Sequence, residues 1–134
     1  ILRLPNLVGF SSNPNTLTNY FADSIRQGRV INLNQNAIRH LIDVEDLSSI
    51  LNEIKSKFGK NKLTVNIETD RPLTARQILS YLEEVIKKKA QTLTVNEDIN
   101  LKNLNENNDV SSFKYLWKTK EDYHSNLLRK YYSS

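Results

Sequence analysis

Arg39 is the residue with the most direct chemistry. It stands in the β-prone run Ile38 to Ile42, which gives its side chain a definite face, and a guanidinium fixed on a strand can clamp a phosphate through two parallel hydrogen bonds. The other reading of Arg39 is an ordinary surface arginine. Asn6 leaves the end of a strand beside Pro5, the position where α/β sheets place ligand contacts, or else it closes a turn. Catalytic groups are harder to assemble. His40 and His124 are the only histidines, and they lack the spacing of a metal site, so each reads as a surface or hydrogen-bond-satisfied residue. Ser11-Ser12 lacks the flanking glycines of a nucleophile elbow. With only Gly9, Gly28 and Gly59 available, no two of them close, there is no Gly-rich phosphate loop.

Alternating strand and helix signals must position these groups, a pattern that predicts a mixed α/β fold with short strands and about four helices. The first strand is Ile1 to Leu4, followed by a Gly/Ser/Asn/Pro loop from Gly9 to Asn15. Leu17, Tyr20, Phe21 and Ile25 share one helical face, and Gly28 stands where a helix end needs a residue tolerant of positive φ. Val30 to Leu33 and Ile38 to Ile42 are β-prone, split by a turn at Asn34 to Asn36. Asp43, Glu45 and Asp46 place carboxylates at the positive end of a second helix, whose stripe is Leu47, Ile50, Leu51, Ile54 and Phe58, with Gly59 as its stop. Leu63 to Ile67 reads as a strand. Thr74 and Gln77 match a capping box, and Leu73 with Ile78 the hydrophobic staple, so a third helix runs to about Lys87-Lys88-Lys89. The stretch from Asn96 to Asp109 reads as an irregular loop, and a last helix spans about Lys120 to Tyr132.

The 134 residues suffice for one small domain, and 38% hydrophobic with 25% charged residues is the composition of a globular chain. Cysteine is absent, which removes disulfides, thiol nucleophiles and Cys-based zinc sites and fits a reducing cytoplasm. No apolar run approaches the roughly 18 residues of a spanning helix. Net charge is +4, from 19 basic and 15 acidic residues spread along the chain, and without a module or aromatic interleaving this argues for solvated helix ends rather than nucleic-acid binding. The chain has no methionine and opens on the strand-like Ile1-Leu2-Arg3-Leu4-Pro5, which reads as a piece of a larger fold. A sheet continued elsewhere leaves edges that pair with another copy, so self-association, as a homodimer, is expected.

The order of motifs carries more than any one of them. Arg3-Leu4-Pro5-Asn6-Leu7-Val8-Gly9, then Asn13-Pro14-Asn15-Thr16-Leu17 opening a helix, Gly28 before Val30-Ile31, and Arg39 through Val44-Glu45-Asp46 resemble the second half of the extended short-chain dehydrogenase/reductases. Val65-Asn66-Ile67 and Leu73-Thr74-Ala75-Arg76-Gln77-Ile78 are similar to that family's following strand and helix start, and Tyr131-Tyr132 to its C-terminal end. The sequence departs from the family at His40, where Asp is usual, at Leu41, where an aromatic is usual, and at Ile67-Glu68 in place of Val-Gly.

The resemblance implies the C-terminal, substrate-binding part of a Rossmann-type epimerase, dehydratase or reductase acting on nucleotide-diphosphate sugars with NAD or NADP. The first motif looks most like members that serve bacterial surface polysaccharides. It further implies that Asn6 contacts the sugar or diphosphate, that the helix start Asn15-Thr16-Leu17 offers N–H groups to the nucleotide, that Arg39 pairs the pyrophosphate, and that Asp46 is a structural helix-entry residue. The family's Tyr-x-x-x-Lys pair is missing, since Tyr20, Tyr81 and Tyr115 are followed four residues later by Ser24, Val85 and Thr119. By the same resemblance, catalysis and most cofactor contacts belong to residues N-terminal to this stretch. The other function class open to these residues is a non-catalytic binding or interaction domain that keeps the fold without the chemistry.

Overall fold

The Thr74 and Gln77 spacing closes as a reciprocal pair in the computed structural model, which describes residues 1–60, 62–95 and 112–133: Thr74 Oγ1 accepts the Gln77 N–H at 3.1 Å and Gln77 Oε1 accepts the Thr74 N–H at 2.8 Å. This box starts helix α3 (Ala75–Ile86). Its partners are α1 (Leu17–Gln27), α2 (Leu47–Phe58) and α4 (Tyr123–Tyr132). Gly28 ends α1 at φ 68°, in the left-handed region its missing Cβ makes accessible. Gly59 follows α2 as expected. The last helix starts three residues later than Lys120.

Nine short strands join them: β1 (Leu2–Arg3), β2 (Asn6–Val8), β3 (Val30–Leu33), β4 (Ile38–Arg39), β5 (Leu41–Asp43), β6 (Thr64–Thr69), β7 (Leu73–Thr74), β8 (Gln91–Thr94) and β9 (Ser112–Trp117). β1, β6 and β9 form a parallel sheet with β6 in the middle. β2 pairs in parallel with β5, β3 in parallel with β8, and β4 antiparallel with β7. This is the expected mixed α/β architecture with four helices.

Four details differ from the sequence reading. Asn6, read as leaving the end of a strand, instead opens β2, because the first strand stops at Arg3 before Pro5. The single run Ile38 to Ile42 breaks at His40 into β4 and β5, because its two halves pair with different strands. The strand expected from Leu63 to Ile67 starts one residue later and continues through Thr69, its alternation placing Val65, Ile67 and Thr69 inside. β8 and β9 stand where no strand was foreseen: β8 is polar and largely exposed, and β9 buries only Tyr115 fully, so neither carries a clean period-two signal. The loop read from Asn96 to Asp109 lies outside the described residues.

The fold has two apolar clusters, and β5 stands between them. Leu41 belongs to the first, with residues of α1, α3, α4 and β3, whereas Ile42 belongs to the second, where α2 packs on Val65, Ile67 and Tyr115. Both are fully buried, and adjacent residues of a strand point to opposite faces. Leu73 and Ile78, on either side of the capping box, both enter the first cluster. Thr74→Ala removes the cap of the helix that carries Ile78, Leu79 and Leu82 into that cluster, so it should lower the unfolding free energy by about 1 kcal/mol. Urea denaturation followed by far-UV circular dichroism would measure it.

Candidate functional site

Gly9 sets the local geometry. A Cβ placed there would lie 2.5 Å from Val44 Cγ1, so only glycine lets the loop after β2 cross this closely over the end of β5. The loop is then fastened from below. Asn19 Nδ2 donates to the carbonyls of Ser11 and Asn13 at 3.2 and 2.8 Å, Ser11 Oγ accepts the Asn13 N–H, and Asn13 Oδ1 accepts the Asn15 N–H at 2.9 Å. Tyr132 closes the far side: its hydroxyl donates to Asn19 Oδ1 at 2.6 Å and stands 2.7 Å from Thr18 Oγ1. Burial raises the Tyr132 pKa, keeping this hydroxyl protonated.

Between these parts lies a cavity of about 190 Å³ whose wall includes Leu7, Gly9, Phe10, Thr16, Val44 and Tyr132. Thr16 begins α1 with an extended backbone and makes no side-chain cap, and the first turn carries no acidic residue. The leading N–H groups of α1 are therefore uncompensated by a carboxylate, the condition that favours an anion. Asn6 enters from the neighbouring strand; its N–H donates to the His40 carbonyl at 3.1 Å and it pairs in register with Leu41. Arg39 follows on β4, exposed, its guanidinium donating to the Ile38 carbonyl at 3.0 Å. No carboxylate lies within ion-pair distance of it among the described residues.

The fold thus brings Asn6 beside the 39–41 segment and sets Thr16 in the cavity wall. Arg39 stands outside that wall, Asn15 is exposed, and the Leu17 side chain packs against the first apolar cluster, leaving only backbone to face a ligand. His40 is satisfied as expected: Nδ1 accepts the Thr69 N–H at 3.0 Å, and Glu68 lies 3.8 Å from Nε2. His124 departs from expectation. It is buried, its Nε2 finds no hydrogen-bond partner among the described residues, and burial, with Arg71 nearby, lowers its pKa. Placed inward on α4, it leaves Nε2 without the solvent or hydrogen-bond partner expected of it among the described residues.

A cluster around Asp43 supports the site and is not visible in the sequence. Its carboxylate accepts from the Tyr131 hydroxyl at 2.6 Å, Lys130 Nζ at 2.9 Å and the Glu45 N–H at 3.0 Å. Tyr123 accepts the Asp43 N–H at 2.8 Å and donates to Asp46 Oδ2 at 2.7 Å. Asp46 stands at the start of α2 without a side-chain cap and accepts from Tyr123, while Asp43 caps the short 3-10 turn Val44–Asp46 before it. The sequence signals were present only as the Asp43 cap and the Tyr131-Tyr132 pair, 88 residues apart for Asp43 and Tyr131.

No protein-family model and no curated protein matches the chain. Solved structures do. UDP-glucose 4-epimerase of Thermus thermophilus, in complex with NAD, aligns over 98% of this chain and 45% of its own, at 14% identity and a TM-score of 0.60. The Bordetella bronchiseptica enzyme WbmG in complex with NAD and UDP aligns over 96% and 41%, at 16% and 0.63. UDP-N-acetylglucosamine 4-epimerase of Methanobrevibacter ruminantium, in complex with UDP-N-acetylmuramic acid, aligns over 97% and 43%, at 17% and 0.64. The chain has the fold of part of a UDP-sugar 4-epimerase. It spans about two fifths of the length of these structures, a share that suits a C-terminal part.

Among the described residues no glycine is placed in a turn that would cradle a dinucleotide. Gly28 ends a helix and Gly9 serves the approach to Val44, so neither begins the Gly-rich strand-to-helix turn that cradles a pyrophosphate. No helix among the described residues is long and apolar enough to cross a membrane.

Asp43 gives the site a measurable pH dependence. Burial raises its pKa, but the bonds from Tyr131, the Glu45 N–H and Lys130 outweigh burial and hold it below the ordinary carboxylate value. A depressed folded pKa contributes stability that is present above the unfolded value of about 3.9 and is lost as pH falls through the folded value. Asp43→Asn should therefore lower stability at pH 7 by about 1 to 2 kcal/mol and flatten the loss of stability as pH falls below about 4, as read from thermal melts across the acid range.

Proposed function

We propose that this chain is the nucleotide-diphosphate-sugar-binding part of an NAD- or NADP-dependent sugar epimerase, dehydratase or reductase. What supports the reading is an acid-free helix start at Thr16 in the cavity wall, with Asn6 on the strand paired to β5 and, outside that wall, an exposed Arg39 that has no ion-pair partner among the described residues, on a fold shared with UDP-sugar epimerases. These groups can act on a diphosphate in distinct ways. The α1 N–H groups meet the anion through dipole and hydrogen bonds, and Arg39 adds a mobile guanidinium that swings from the Ile38 carbonyl to phosphate oxygens. Asn6, fixed by its strand, offers both a donor and an acceptor to a sugar hydroxyl.

The roughly 190 Å³ cavity is smaller than the 300 to 1,000 Å³ of a typical ligand site. In this reading the remainder of the ligand and the dinucleotide lie against residues outside the chain, which also supply the Tyr-x-x-x-Lys chemistry and hydride exchange at a sugar carbon. When bound, NAD or NADP supplies the hydride acceptor and donor. This chain's part is to hold the diphosphate and fix the sugar against that centre. A cytoplasmic enzyme of bacterial surface polysaccharide synthesis, acting as a homodimer, is the setting this reading favours.

Calorimetric titration with UDP, TDP, GDP and CDP sugars tests it. Saturable binding to one nucleotide class should weaken on Arg39→Ala by about 1.5 to 3 kcal/mol, the worth of a charged hydrogen bond, with the melting temperature unchanged because Arg39 is exposed. Binding that ignores the Arg39 substitution would remove Arg39 from the site. No binding with the missing half restored would favour the non-catalytic interaction domain instead.

A further inference from the structure

Phe10 exposes 85% of its surface, an unusual placement for a phenyl ring. The ring is nonetheless held. Tyr131 meets it edge-on, with centroids 4.9 Å apart and planes at 81°, and the Asn19 amide clamps the following loop through the Ser11 and Asn13 carbonyls. A trough of about 270 Å³ starts at this ring and runs along α1 to Asp23 and Arg26. Residues 19, 23 and 26 fall at i, i+4 and i+7, one face of the helix.

The trough keeps hydrogen-bonding capacity in reserve. Asp23 and Arg26 approach only to 3.8 Å, with side chains 40% and 43% exposed, so neither is saturated by the other. One Arg26 nitrogen donates to the Tyr132 carbonyl at 2.9 Å, which fixes the guanidinium and leaves its other donors free. Asn13 spends its Oδ1 on the Asn15 N–H, and its Nδ2 has no partner among the described residues.

We propose that this trough binds a single neutral sugar ring of the hexose class, its apolar face on Phe10 and its hydroxyls on Asn13, Asp23 and Arg26. Asp23 repels an anion, and the Asp23 and Arg26 charges cancel, so a phosphate gains little there. A purely apolar ligand would strip water from the carboxylate and guanidinium without replacing it. A ring with one apolar face and a rim of hydroxyls meets both conditions, pairing donors with Asp23 and acceptors with Arg26 and Asn13. The trough has room for one ring. The proposal does not depend on the diphosphate reading, which uses Thr16 and Arg39.

Amide correlation spectra of the chain, titrated separately with methyl glucopyranoside, methyl galactopyranoside, N-acetylglucosamine and UDP, provide the test. At least one sugar should give saturable shifts confined to residues 10–14 and 19–26, in the millimolar range. Phe10→Ala should weaken that binding about tenfold, and Phe10→Trp should retain it. Asp23→Asn, a substitution on an exposed side chain, gives a second reading if Phe10→Ala perturbs the fold, and should weaken binding several-fold. Absence of saturable shifts with all three sugars overturns the proposal, as do sugar shifts that survive both substitutions. UDP shifts at residues 16–19 and 39 without any sugar shift would leave the diphosphate reading standing and remove this one; sugar shifts without UDP shifts would do the reverse.

Discussion

The Asp43 carboxylate fixes the relation between the start of the chain and its last helix. A buried carboxylate is costly unless its oxygens are filled by donors. Here the donors come from Tyr131, Lys130 and the Glu45 N–H, and two of the three are on α4, so the carboxylate is filled only while α4 is docked. That docking also brings Tyr132 onto Thr18 and Asn19, and Asn19 in turn holds the loop between β2 and α1. Undocking α4 would therefore leave an unpaired buried charge and a loosened loop together, which couples the cavity wall to a residue that does not line it.

β5 makes this coupling mechanical. Leu41 and Ile42 face separate apolar clusters, and Asp43 follows directly, so the strand that transmits packing from both clusters ends on the carboxylate that anchors α4. A shift of that strand would disturb both clusters, because close-packed interiors respond to displacement through all their neighbours. Gly9 adds a further constraint by pressing its loop against Val44, the next residue along. The position of Asn6, paired to β5, is thus inherited from the same spine.

What was legible in the sequence was local. The Thr74 and Gln77 box, the Gly28 stop and the Asp43 cap each involve residues within a few positions, and each formed as its chemistry requires. The order of Arg3 to Gly9, Asn15 to Leu17 and Arg39 to Asp46 also pointed to the fold that solved structures share at 14 to 17% identity. The hidden parts were long-range or weakly patterned. Nothing in the string links Asp43 to Tyr131, and the split at His40 arises because Asn6 and Thr69 claim its carbonyl and ring from two other strands. His124 was misread because α4 is amphipathic only on average: its buried face is set by the docking to Asp43, and position 124 falls on that face along with Leu127 and Leu128.

The distribution of charge separates two kinds of recognition on this surface. The first turn of α1 has no acidic residue and Arg39 has no carboxylate within ion-pair distance among the described residues, so on the proposed reading a doubly charged diphosphate would gain from each donor it meets there. Farther along α1, Asp23 has Arg26 beside it, so the potential falls toward zero and only directional hydrogen bonds remain to select a ligand. Long-range attraction would thus bring an anion to the beginning of the helix and not to its middle, and rising salt should weaken the first interaction while leaving the second nearly unchanged. One helix, beginning beside a glycine whose added Cβ would press on Val44, thereby presents an acid-free N-terminus at one end and a charge-balanced polar face along its side.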